Sequence, residues 1–99
     1  MILNFEDLQV PVYITKEEQM ASKNTDNMIT LLHVSTIVKG REANDHFLEL
    51  VEKAKVTGIS SQDETGNPLQ NWKVKNITWN YRDNENIYFH NLELEEVEE

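Results

Sequence analysis

Three histidines, His33, His46 and His90, are the side chains best suited to move a proton near neutral pH, and they are isolated from one another along the chain. Neither HxH nor HExxH can be written around any of them, so no metal-binding spacing is present. Gly40, Gly58 and Gly66 build no GxGxxG and no Walker loop, which leaves nucleotide phosphates without their usual backbone cradle. No GxSxG elbow presents a nucleophilic serine. Cysteine is absent, removing disulfides, zinc–thiolate centres and thiol nucleophiles together. Acid pairs such as Glu17 with Glu18, Asp63 with Glu64, and Glu95 with Glu96 invite comparison with catalytic dyads. Adjacent residues of a strand point to opposite faces, however, and cannot share a proton. The oxygen-rich run 83–86 lacks EF-hand spacing and reads as turn chemistry. The expectation is a chain with no catalytic residue, no metal and no cofactor.

Binding chemistry is better represented. Trp72, Trp79, Tyr81, Tyr88 and Phe89 crowd the last third of a chain with only 8% aromatic residues. Strand alternation sends such rings to both faces, so not all of them can enter one core. An exposed ring flanked by Lys73, Lys75 or Arg82 would anchor a protein partner. The same surface could stack single-stranded nucleic acid, but a formal charge of −9 favours a protein. The competing assignment has both tryptophans simply packing a helix onto a sheet.

Glu93, Glu95 and Glu96, with Glu98 and Glu99, form a second candidate surface. Alternate residues of a strand stand roughly 6.6–6.8 Å apart on one face. Glu93 with Glu95, and Glu96 with Glu98, would then repeat like successive phosphates and could occupy the channel of a nucleic-acid enzyme. The candidate partner-binding residues are therefore Trp72, Trp79, Tyr81, Tyr88, Glu93, Glu95 and Glu96.

The elements that must position these residues follow from periodicity. Residues 8–14 read as a strand with Leu8, Val10, Val12 and Ile14 on one face, and Pro11 assigns it to an edge or a bulge. Thr15 and Glu18 have capping-box spacing, which predicts a short helix ended by the loop chemistry of 22–27. Residues 28–38 are β-branched and apolar on both faces, the pattern of a central, covered strand. Ala43, Phe47, Leu50, Val51 and Ala54 recur at helical period, predicting a helix near 43–56 capped by Asn44 or Asp45. Alternation through Phe47, Glu49, Val51 and Lys53 leaves a strand as the rival. A short strand at 56–61 and a turn at 63–68 come next. In 72–81 the apolar parity changes at Lys75 and Asn76, which predicts a bulge that flips the apolar face. A loop at 82–86 and a returning strand at 87–94 complete a hairpin. His90 should decorate that hairpin, and 95–99 should be a frayed acidic tail.

Ninety-nine residues make one domain, 1–99. The expected class is α+β: a mixed or mostly antiparallel sheet of four to five strands carrying one main helix, with 28–61 as a possible right-handed βαβ unit. An all-β sandwich or barrel is the alternative. The N-terminus has no signal-peptide pattern and no apolar run reaches bilayer length, so the expected location is the cytoplasm without membrane contact. The function expected from size, charge and missing motifs is a non-enzymatic protein–protein interaction module. Its partner would be another protein or its own copy, not nucleic acid, as in the small accessory or assembly proteins of phages and mobile elements. The alternative is an acidic nucleic-acid-mimicking inhibitor of a nucleic-acid-binding enzyme.

Overall fold

The computed structural model describes residues 1–23, 26–82 and 85–97. Its elements are β1 (Ile2–Asn4), β2 (Gln9–Pro11), β3 (Tyr13–Ala21), β4 (Met28–Lys39), α1 (Arg41–Thr57), β5 (Ile59–Gln62), β6 (Pro68–Arg82) and β7 (Ile87–Glu96). The class is α+β, with one helix and a single antiparallel sheet among the described residues. The sheet has seven strands, not four or five. The undercount came from β1, only three residues long, and from the expected strand at 8–14, which is divided at Val12 between β2 and β3.

The strand order is β2-β1-β5-β6-β7-β4-β3. Its two ends, β2 and β3, are consecutive stretches of one extended segment joined through Val12. The Val12 amide donates to Met1 O at 2.9 Å on one side of that joint, while Thr36 Oγ1 donates to Pro11 O at 3.0 Å on the other. The sheet thus curls until its ends meet in a single strand. The barrel alternative captured this curvature, although 41–57 is helix throughout.

Four local expectations are corrected. Residues 15–18 lie within β3 because β4 offers them a complete ladder, with Lys16, Glu17 and Glu18 opposite His33, Leu32 and Leu31. Thr15 Oγ1 donates to His33 O instead of capping a helix. Second, β4 and β5 are separated by β7 and β6 in an antiparallel sheet, so 28–61 is no parallel βαβ unit. Third, α1 starts at Arg41, and Asn44 is a buried residue inside it rather than its cap. Fourth, β7 runs through Glu96, pairing Glu95 with Leu31 and Glu96 with Trp72, where a frayed tail was expected from residue 95. Glu98 and Glu99 lie outside the described residues.

The predicted strand at 28–38 is realised as β4, one strand in from β3. Its covering is uneven: Leu32 and Val34 are buried on one face, while on the other Ile29 is buried and Ile37 is 52% exposed. The helix buries Phe47, Leu50, Val51 and Ala54 against Leu32, Val34, Leu92, Leu94, Trp72 and Val74, with Leu3, Phe5 and Ile59 closing the cluster. Each fully buried side chain of this kind contributes roughly 1.5–3 kcal/mol before entropy is counted. Gly58 turns the chain from α1 into β5 at φ 80°, and a β-carbon there would stand 3.3 Å from Trp72 O. At Gly66 the 63–68 turn is organised by Asp63, whose Oδ1 accepts the amides of Thr65 and Asn67 at 2.9 Å each. No helix among the described residues is long and apolar enough to cross a membrane.

Candidate functional site

β6 changes surroundings along its length. Up to Trp72 it pairs with β5, with Ile59 opposite Trp72 and Ser60 opposite Asn71, and at Trp72 the β7 ladder begins with Glu96 opposite. Beyond Trp72, among the described residues, only β7 pairs with it. The stretch 75–82 is therefore a sheet edge, and an edge strand turns a row of backbone N–H and C=O groups outward.

A register shift between Val74 and Asn76 marks the predicted bulge. Its consequence is the reverse of the one expected. The inserted residue compensates the change of sequence parity, so Ile77, Trp79 and Tyr81 stay on the face of Val74. The partners confirm this: Val74, Ile77, Trp79 and Tyr81 face Leu94, Leu92, His90 and Tyr88 in turn. One face of β6 is apolar from Trp72 to Tyr81, while Thr78, Asn80 and Arg82 occupy the other.

Trp79 and Tyr81 remain 46% and 44% exposed. They stand on a buried base. The Tyr81 ring stacks on Tyr88 at 4.5 Å between centroids, and Trp79 lies 5.8 Å from Tyr88 and 6.1 Å from His90. His90 is completely buried and packs 4.7 Å from the Phe47 ring, so it does not decorate the hairpin surface. Its Nε2 is 2.6 Å from Asn44 Oδ1, and an amide oxygen only accepts, so Nε2 carries the proton. Nδ1 is left as a buried acceptor without a partner. Burial pushes the imidazole down to about pKa 4, keeping it neutral at physiological pH. The aromatic pair is thus mounted on a rigid, uncharged support from β7 and α1.

The predicted residues separate into three groups. Trp79 and Tyr81 come together at the open edge. Trp72 and Tyr88 are buried, at 6% and 7% exposure, and act as packing. The Trp72 indole N–H donates to Ser61 Oγ at 2.9 Å, and Ser61 Oγ donates onward to Gln70 O at 2.6 Å. The glutamates divide by face. Glu93 and Glu95 share the outer face, opposite His33 and Leu31 of β4. Glu96 lies on the Trp72 face, where Oε2 accepts the Thr30 amide at 2.9 Å. Asn44 and Ser61, the polar residues that support this region, were not anticipated. Their only sequence signal is a polar side chain at a position whose periodicity calls for burial.

The other histidines lie beside carboxylates, His46 at the surface and His33 with a buried Nε2. His46 Nε2 is 2.9 Å from Asp7 Oδ1, both side chains being about half exposed, and His33 Nε2 is 3.6 Å from Glu18 Oε2. Among the described residues, no three His, Asp or Glu side chains converge as a metal site. A hollow of about 950 Å³ lies between the C-terminal half of α1 and β1/β5. Phe5, Leu50, Ala54 and Ile59 line it, and the Lys53–Glu6 ion pair at 3.2 Å stands at its rim. No histidine lines it. No protein-family model matches the sequence, and no curated protein matches it.

Proposed function

We propose that this chain is a non-catalytic protein-interaction module that docks another protein, or a second copy of itself, through the open edge of β6. One observation carries the reading: Trp79 and Tyr81 stand half exposed, side by side, on a strand edge that no described residue pairs. Exposed aromatic residues on a rigid base are the commonest energetic anchors of protein interfaces. An unpaired edge left uncovered invites an added strand. Small size and net acidity support an accessory or assembly role over a catalytic one.

The test is photo-crosslinking in the producing cell, with a benzophenone amino acid at position 81 and, as control, at Val56, which is 87% exposed on α1. Position 81 should yield one discrete adduct and position 56 none. Adducts of equal yield at both positions, or none at 81, would remove the β6 edge as the docking surface.

A further inference from the structure

Resting on that interaction-module reading, we infer that the occupant of the β6 edge is an extended segment of a partner protein in which acidic residues alternate with apolar ones. It adds to the sheet as a further strand beside 75–82. The first ground is charge. β6 carries Lys73, Lys75 and Arg82 and no acidic residue, in a chain with 18 acids and 9 bases. Lys73 already faces Glu95 across the ladder. Lys75 projects from the bulge, and Arg82 faces Ile87 with its guanidinium 5.3 Å over the Phe89 ring. Neither is in an ion pair within 4 Å among the described residues, and both are exposed at the two ends of the 75–82 stretch. The Arg82 guanidinium lies toward β7, and Lys75 shares a hollow with Glu95 and Glu96, so both long side chains swing across β6 to meet an incoming carboxylate, whereas an incoming lysine meets repulsion.

The second ground is the alternation of the edge itself. Ile77, Trp79 and Tyr81 project to one face, so a strand laid beside them places every second residue next to an apolar neighbour. β7 has this character on the other side of β6: Leu92 and Leu94 face Ile77 and Val74, while Glu93 and Glu95 face Asn76 and Lys73. The occupant repeats on the open edge the chemistry that β7 supplies on the closed one.

A second copy of the same edge fits less well, because antiparallel pairing of two 75–82 stretches sets Lys75 of each near Arg82 of the other. Like charges placed together across a ladder are destabilising.

The experiment uses the whole chain and two labelled synthetic peptides, one alternating Val with Glu and the other alternating Val with Lys. Binding is read by fluorescence anisotropy, and its location by amide hydrogen exchange. The Glu peptide should bind and protect amides within 75–82, and the Lys peptide should bind at least about tenfold more weakly, a difference of roughly 1.4 kcal/mol. The double variant Lys75→Glu with Arg82→Glu, changed only at exposed positions, should reverse that order. N-methylation of alternate peptide amides should abolish binding, because main-chain pairing supplies the affinity. Equal affinities, no binding of either peptide, or protection at β3 instead of 75–82 would overturn the inference. A dimer seen by light scattering and dissolved by Tyr81→Arg would also overturn it, yet leave the docking role of the edge intact. If residue 81 engages neither peptide, copy nor crosslinked partner, the docking role falls as well.

Discussion

Trp72 and Trp79 belong to one strand and project from one face of it, yet the first is 6% exposed and the second 46%. Their immediate sequence neighbours are alike: a lysine follows Trp72, an asparagine follows Trp79, and polar residues alternate around both. The difference lies beside the strand. Trp72 has Ile59 of β5 as its ladder neighbour and Ser61 to accept its indole N–H. Trp79 has no strand on that side among the described residues. The lower part of β6 is therefore scaffold and the upper part a docking edge, and the boundary is set by where β5 stops. β3 is the other open edge and shows how such a surface is guarded. Its Lys16 and Glu18 are paired at 2.6 Å, and the hydrogen bond from Lys16 holds the Glu18 carboxyl below its ordinary range. Charged side chains of this kind discourage strand addition. The 75–82 edge carries charge only at its ends, Lys75 and Arg82, with Trp79 and Tyr81 exposed between them.

The largest effects should come from the scaffold half. Trp72→Ala removes a buried ring and the donor to Ser61 Oγ, and urea denaturation should show a loss of roughly 3–5 kcal/mol. Trp79→Ala in the same assay should cost less than about 1 kcal/mol while removing the position-81 crosslink. Equal losses for the two variants would erase the distinction between the halves.

His90 ties the two halves together and makes stability depend on pH. Its pKa is lowered from 6.5 in the unfolded chain to about 4 in the folded one. The unfolded state thus binds the proton more readily between those values. The contribution is complete above pH 6.5, falls as pH drops toward 4, and is constant below it. The span is on the order of 3 kcal/mol. Urea midpoints measured from pH 7.5 to 4 should fall in the wild type, and His90→Gln should flatten that part of the profile.

Ser61→Ala leaves the Trp72 indole N–H buried without an acceptor and should cost about 1–3 kcal/mol. An equivalent change at the open edge, Thr78→Ala, should leave the midpoint within about 0.5 kcal/mol. The mildest contrast is optical. Acrylamide should quench the emission of Trp79 and spare Trp72, as single-tryptophan variants to phenylalanine would resolve.

Much of the base was legible in the residues. The apolar stripe from Phe47 to Ala54 marked α1 because a helix buries one face whatever it packs against, and the β-branched run of β4 marked a strand for a similar reason. The parity change at Lys75 and Asn76 located the bulge. Its effect was not legible, because the direction of Trp79 depends on the register with β7 as well as on β6. Thr15 and Glu18 misled in the opposite way: a local capping pattern yielded to a ladder with β4 that no short window contains. His90 looked like surface decoration because alternation assigns a face without saying what covers it.

The sequence by itself determined the α+β composition, the positions of α1 and β4, the β6–β7 hairpin, and the absence of nucleotide-loop and thiolate motifs, since each rests on local periodicity or residue type. The tertiary structure alone decided which aromatic rings are covered, which face each glutamate takes, and how 9–21 closes the sheet. Those outcomes depend on strands distant in the chain, and a side chain's exposure is set by its spatial neighbours rather than by its own chemistry.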